Sequence, residues 1–389
     1  MIKIVVFGAG EIGKSIAHYF LHQIIKIQLI LVDIDSLQLV ACMKHLSKYV
    51  DTMHLTLNNF ENIDSIIATA DLIFSAIPWV AHSSIINLIA VHDKSTVIVS
   101  RPAYDEMDAI QIKLQKMTQP VVIGAGLEPG LTEIMALFCA NLFDRLDSLH
   151  LKCGGITNQP ANNVLRYKAL FGTRYLPIAI RHAYAVVDNK LIQVPRFSEI
   201  ELIDIPGLGQ LEAWHDGMVP WLCRYPNLST AHTISQKTLR WPGFADTVYK
   251  LYQLGLLSEN EININNVNLS PKKFIEHLYA DETKLNNENN TTILHILGQG
   301  LIDDKVGKIE LTLRASNLAD IGLNSLAMLT GFTASIMGIS MLEGNMQNSG
   351  LTFPEVMMQT TQFDNLIAQL ANYSVTLDIK QHMDIASYA

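Results

Sequence analysis

The chain has 389 residues, 49% of them apolar and 17% charged, which is ample material for packed cores and too long a chain for a single one. Two domains are expected, and the same composition excludes a disordered chain. A count of 28 Lys and Arg against 37 Asp and Glu leaves a net charge of −9, which opposes a nucleic-acid footprint.

The first 125 residues alternate short Ile- and Val-rich runs with helical patterns, the arrangement of a parallel sheet with right-handed crossovers. The runs are Ile2–Phe7, Gln28–Val32, Thr52–Leu55, Leu72–Ala76, Thr96–Val99 and Val121–Ile123. Six such strands predict a doubly wound sheet, an α/β Rossmann domain over residues 1–125. Ile12, Ile16, Ala17, Phe20 and Leu21 recur at helical spacing after the first run, so one face of that helix covers the sheet.

Beyond Gly130 the pattern changes. A helix over Thr132–Leu142 is followed by longer strand-like stretches, Ser148–Lys152, Ala183–Val187, Ile200–Ile205 and Ile309–Ala315. This reads as an α+β domain over residues 126–345, for substrate binding and dimerisation. Asn260–Asn268 and Asn286–Asn290 read as surface loops. A final segment, 346–389, contains a GLTFPE stretch and a helix near Thr361–Asn372, and is expected to pack back on the first domain.

Ile321–Leu342 contains no charged residue and is long enough to span a bilayer. Its many small and hydroxylated residues, Gly331 and Ser335 among them, suit a helix packed closely inside a protein or at a homodimer interface, so no membrane partner is expected. Cys42, Cys139, Cys153 and Cys223 form no CxxC pair and read as buried thiols in a reducing interior. With no cleavable leader pattern before the first strand, a cytoplasmic location is expected.

Gly8-x-Gly10-x-x-Gly13 follows the first strand directly and opens a helix, the context that a dinucleotide fingerprint needs. Gly8, Gly10, Glu11, Ile12 and Gly13 are therefore assigned to the cofactor, with Ala76 and Pro78 beyond the fourth strand. Asp33 ends the second strand, where a carboxylate accepts from ribose hydroxyls. Asp35 follows it and no Lys or Arg precedes Lys44, which favours NAD over NADP. Nothing matches a nucleophile elbow, an HExxH site or a P-loop. His18 and His22 stand four apart on the first helix and read as a partly solvated face, with no metal site expected.

Past the Rossmann half, several stretches become recognisable: GAGEIG at Gly8–Gly13, GLEPGLTEIMA at Gly126–Ala136, KCGGI at Lys152–Ile156, RYKALF at Arg166–Phe171, FSEIELIDIPGLGQLEAWHDG at Phe197–Gly217 and KTLRWPGFADTV at Lys237–Val248. In these the chain resembles the saccharopine dehydrogenase-like family, which includes saccharopine reductases and L-lysine 6-dehydrogenases. Val99-Ser100-Arg101-Pro102-Ala103-Tyr104 is closer to the reductase pattern than to the VDLGG of the lysine dehydrogenases.

The resemblance implies hydride transfer between a nicotinamide and the carbon of an amine or imine in a small amino-acid substrate, in lysine metabolism. Other imines, such as a carboxyalkylated polyamine, and an NAD sensor without turnover are the alternatives. Such a site needs carboxylate-gripping and proton-handling residues. Arg240, Arg166 and Arg224, with Glu128, are the substrate-binding candidates; Lys168, Tyr167, His215 and Asp216 are the proton-handling candidates.

Overall fold

The apolar runs of the N-terminal part form the six expected strands: β1 (Ile2–Phe7), β2 (Ile27–Asp33), β3 (Val50–His54), β4 (Leu72–Ser75), β5 (Thr96–Ile98) and β6 (Pro120–Ile123). The computed structural model describes all residues except 23–26, 45, 47–49, 55–59, 103–105, 172–175, 218, 345–348, 359 and 384–389. Leu55, Ala103 and Tyr104, named above, lie outside the described residues. A seventh strand, Gly350–Thr352, comes from the GLTFPE stretch, where no strand is expected from the sequence. The sheet order is Gly350–Thr352, β6, β5, β4, β1, β2, β3, with every neighbouring pair parallel. Parallel strands are covered on both faces, and this is why runs such as Ile4–Phe7 and Leu72–Ser75 are apolar without alternation and buried throughout.

The chain divides into two units, the first made of Met1–Phe138, Asp320–Leu323 and Ala327–Val375, the second of Cys139–Ala319, Asn324–Leu326 and Thr376–Ala389. Relative to a division at 125/126, the first unit also takes in most of the helix Leu131–Ala140, as far as Phe138, and most of residues 320–375. The apolar segment near 321–342 is the helix Ser325–Leu342, 89% buried. Its small residues make close approach within the first unit: a Cβ on Gly331 would stand 2.6 Å from the Ser15 Oγ, and Gly338 lies against the Phe74 ring.

The second unit is built on a nine-stranded mixed sheet. Its strands are β7 (Arg145–Thr157), β8 (His182–Val187), β9 (Lys190–Pro195), β10 (Glu201–Ile205), β11 (Gly209–His215), β12 (Thr233–Arg240), the long hairpin of Asn290–Ile302 and Lys305–Ser316, and Val375–Met383. Central β12 runs parallel to β7 and antiparallel to β11 and β8. Side chains alternate along each strand. One face buries Trp214 against Tyr167, Phe197 and the helix Phe244–Gln253. On the other, Leu211, Ala213, Leu239 and Ile293 pack together. The Asn260–Asn268 segment, expected as a loop, contains an exposed two-stranded hairpin, Ile262–Ile264 with Val267–Leu269, turning at Asn265 and Asn266, both of positive φ. Asparagine tolerates that left-handed conformation, so Asn richness marked the turn of a hairpin.

Candidate functional site

In the first unit the turn after β1 is fixed by three constraints. Gly8 takes a φ of +98°, and its N–H donates to the Val32 carbonyl at 2.8 Å. A Cβ at Gly13 would overlap the Gly8 carbonyl oxygen, so only glycine lets the helix Glu11–Leu21 close on the strand. Gly10 has nothing within 4 Å of its Cβ position and is exposed, leaving the helix N-terminus open for an anion. Ala76 completes the wall, its N–H donating to the Phe7 carbonyl at 2.8 Å, and Pro78 follows it into a short 3₁₀ turn. Glu11 pairs with Lys14 at 3.1 Å, and Ile12 is half-buried beside it.

Asp33 holds this turn as well as facing it. One carboxylate oxygen accepts the Ala9 N–H at 2.6 Å and the other the Asp35 N–H at 2.8 Å. A carboxylate has about four acceptor positions, so about two remain for ribose hydroxyls. Asp35 accepts from the Leu37 N–H at 2.9 Å and caps the following helix. The residues fit a dinucleotide: open backbone at Gly10, a helix N-terminus, and a half-buried carboxylate at the end of β2.

Three sequence stretches that had no stated connection meet at the end of this sheet. The Arg101 guanidinium donates to both oxygens of Glu355, at 3.2 and 3.4 Å, with both side chains buried, and lies 5.3 Å over the Phe353 ring. It packs on Gly124, ahead of the loop that carries half-buried Glu128, which joins Pro129 through a cis peptide. Glu133 in the same motif accepts from the Gly130 N–H and the Thr132 hydroxyl. Burial raises its carboxyl above the ordinary range despite the nearby arginine.

In the second unit, Arg240 and Tyr167 come together. Arg240 is buried, its Nη1 donates to the Leu239 carbonyl at 2.7 Å, and its guanidinium lies 5.1 Å over the Tyr167 ring. Its Nε is buried with no hydrogen-bond partner among the described residues. Tyr167 packs edge-on against Phe244, and burial raises its hydroxyl pKa, so it stays protonated.

Asp216 lies in a network of ion pairs and hydrogen bonds. Its carboxylate is held by Arg181, by Arg196 at 2.8 and 3.0 Å, and by the Thr238 hydroxyl at 3.2 Å. Burial alone would raise its pKa, but the two guanidinium groups outweigh burial and hold it below the usual range. His215 is separated from Arg240 by the sheet. It stands opposite Lys237 on the alternate face, and its Nε2 meets the Glu199 carboxylate at 2.9 Å.

Lys168 is half-buried 3.6 Å from Glu288, at the wall of a cavity of about 540 Å³ that includes Thr157, Asn163 and Glu282. Arg166 is exposed, at a φ of +53°, and donates to the Pro242 carbonyl at 3.2 Å. Arg224 is exposed and lies 4.9 Å over the Trp221 ring. The seven candidates of the second unit thus do not form one cluster, since His215 lies on the sheet face opposite Arg240.

A family model for the saccharopine dehydrogenase C-terminal domain matches residues 126–375, well over half of the chain. The chain belongs to the saccharopine dehydrogenase family. Rat alpha-aminoadipic semialdehyde synthase is 23% identical over 270 residues, 66% of this chain and 28% of that protein. Saccharopine dehydrogenase (NADP(+), L-glutamate-forming) of Schizosaccharomyces pombe is 23% identical over 227 residues, 53% of this chain and 47% of the relative. The chain therefore matches about half or less of these curated relatives. Among solved structures, apo saccharopine dehydrogenase (L-Glu forming) from Saccharomyces cerevisiae superposes with a TM-score of 0.80 at 16% identity, over 98% of this chain and all of that one, and shares its fold.

Within this saccharopine dehydrogenase-family chain, sequence reading missed the partners that decide each candidate's state. Arg196 and Arg181 neutralise Asp216 from outside the quoted motifs, and no local spacing marks them. Glu212 accepts the Gly243 and Ala245 N–H groups, each at 2.8 Å, and caps the helix Phe244–Gln253. Strand alternation offered one available signal: Lys152 and Lys237 lie in register on β7 and β12, hence on one face.

Proposed function

We propose that this chain is a nicotinamide-dependent oxidoreductase of the saccharopine type, transferring hydride between the nicotinamide and the carbon of an amino-acid C–N bond. The observation that carries the reading is the turn after β1, where open Gly10, crowded Gly13 and Asp33 together form a dinucleotide cradle. The bound nicotinamide supplies or accepts the hydride, and this chain's residues bind, orient and manage protons. Asp33 and Asp35 favour NAD, since a 2′-phosphate there would meet carboxylates; the yeast relatives are named for NADP(+).

Arg240 serves as the carboxylate clamp, because its buried guanidinium meets one backbone carbonyl and the Tyr167 side chain and has an Nε with no hydrogen-bond partner among the described residues, and a substrate carboxylate would complete its hydrogen bonding. Lys168 is the proton-handling group. It follows Tyr167 directly in sequence and lines a cavity, whereas Asp216 is committed to its arginines. A cytoplasmic setting accords with four free cysteines, and a homodimer with exposed Leu191, Ile200 and Leu202.

The test is a nucleotide-linked assay with saccharopine, with lysine, and with α-aminoadipate semialdehyde plus glutamate, each with NAD(H) and NADP(H). Turnover with one of these sets is expected. Tight nucleotide binding without turnover of any set would leave a nucleotide sensor as the better reading.

A further inference from the structure

On the sheet face opposite Arg240, strand register assembles a second group of ionisable side chains. Lys237 on β12 stands across from His215 on β11 and Lys152 on β7, and Ser235 across from His150. With Glu199 and Glu201 they line a cavity of about 310 Å³, a size that admits only a small ligand. Every residue lining it belongs to the second unit. The reaction proposed above uses none of them.

Charge in this cavity is sorted by depth. Lys152, Lys237 and His215 are deep, with side chains 8%, 9% and 3% exposed, while Glu201 and Glu199 stand at the mouth, 43% and 70% exposed. Lys237 is satisfied by the Glu199 carbonyl at 2.8 Å and a Glu201 oxygen at 3.1 Å. Lys152 reaches that same oxygen only at 3.5 Å, so one carboxylate oxygen serves two buried ammonium groups. Glu310 adds a more distant negative charge to Lys152, and a ligand anion would supply it a further close partner. The remaining wall is apolar, formed by Ala185, Val187, Val194 and Leu297.

We propose that this cavity is a second binding site, for a zwitterionic α-amino acid with an aliphatic side chain. The carboxylate reaches Lys152 on the floor, the ammonium stays at the Glu199 and Glu201 mouth, and the aliphatic chain lies on the Val187, Val194 and Leu297 wall. A simple anion uses only the floor, and a simple cation only the mouth. Basic floor and acidic mouth together select a ligand carrying both charges.

The test is calorimetry on the full chain without nucleotide, using L-norleucine, sodium acetate and n-butylamine as probes. L-Norleucine is expected to bind in the millimolar range, with acetate and butylamine each weaker by about tenfold or more because each engages one end. Lys152→Met should weaken norleucine by about tenfold or more. Glu199→Gln, a change at an exposed position that leaves the core intact, should weaken it by about threefold or more. Arg240→Lys, which alters only the substrate site proposed above, should leave the component of norleucine binding that depends on Lys152 unchanged. The proposal is overturned if folded protein gives no norleucine binding up to about 50 mM, if acetate binds as well as norleucine, or if Arg240→Lys abolishes binding that Lys152→Met and Glu199→Gln retain. Because no nucleotide is present, failure here leaves the oxidoreductase reading standing, and failure of turnover leaves this site standing.

Discussion

Replacing Asp33 by alanine separates two roles that one carboxylate performs. It holds the glycine turn through the Ala9 N–H at 2.6 Å, a contact that serves either nucleotide, and it has capacity left for ribose hydroxyls that only NADH presents in full. The freed Ala9 N–H lies in a half-buried setting where water can partly replace its partner, so its loss costs about 1 kcal/mol for both ligands. The ribose bonds add about 1.5 kcal/mol for NADH alone, while NADPH regains about 1 kcal/mol as repulsion of its 2′-phosphate disappears. NADH affinity should therefore fall by about 2.5 kcal/mol, roughly 70-fold, and NADPH affinity should stay within about threefold. Titration of protein fluorescence with each nucleotide, on the unmodified chain and on Asp33→Ala, measures both. Asp33→Asn keeps an acceptor for Ala9 and should fall between them. The reasoning is refuted if the unmodified chain binds NADPH more tightly, or if Asp33→Ala weakens both nucleotides equally.

Gly13→Ala should lower stability by about 2–3 kcal/mol in denaturant titration, because its methyl group meets the Gly8 carbonyl. Gly10→Ala has open space and should leave Tm within about 2 °C while weakening nucleotide binding by about tenfold. Arg240→Lys should reduce kcat/KM for the amino-acid substrate by roughly ten- to a hundred-fold with NADH affinity unchanged, since lysine cannot grip a carboxylate through two parallel bonds; unaltered substrate kinetics in a folded variant would remove Arg240 from the site. Asp216→Asn should destabilise the chain by about 3–5 kcal/mol in equilibrium unfolding, because it leaves buried Arg196 without its carboxylate. The folded Asp216 pKa is depressed, so its contribution is present above its ordinary value of 3.8 and lost as pH falls through the folded value. Acid unfolding of the Asn variant should accordingly lack that component.

The first unit was legible in the sequence because its determinants are local. Continuous apolar runs report strands buried on both faces, and the glycines with Asp33 report a turn whose constraints lie within about 25 residues of one another. The seventh strand was hidden because Gly350–Thr352 is three residues long and its partner, β6, lies far away in the chain. In the second unit, chemical type was readable while chemical state was not. Asp216 has the composition of a general base, and only the fold brings Arg181 and Arg196 to it. His215 and Arg240 both lie in motifs carried by the family, yet strand alternation sends them to opposite faces of one sheet, a distinction that a motif alone does not encode.

The strand Gly350–Thr352 also orders events in time. It pairs with Pro120–Val122, so the seven-stranded sheet has an open, apolar edge at β6 until a segment some 230 residues later has been synthesised. The helix Ser325–Leu342, which supplies Gly331 against Ser15 and Gly338 against Phe74, arrives equally late. A ribosome-bound chain released before residue 350 would hold its dinucleotide turn complete in sequence but carry a sheet with one unpaired border. Such a fragment is a template for strand addition by its neighbours, which makes truncation on the C-terminal side a route to aggregation rather than to a smaller nucleotide-binding protein.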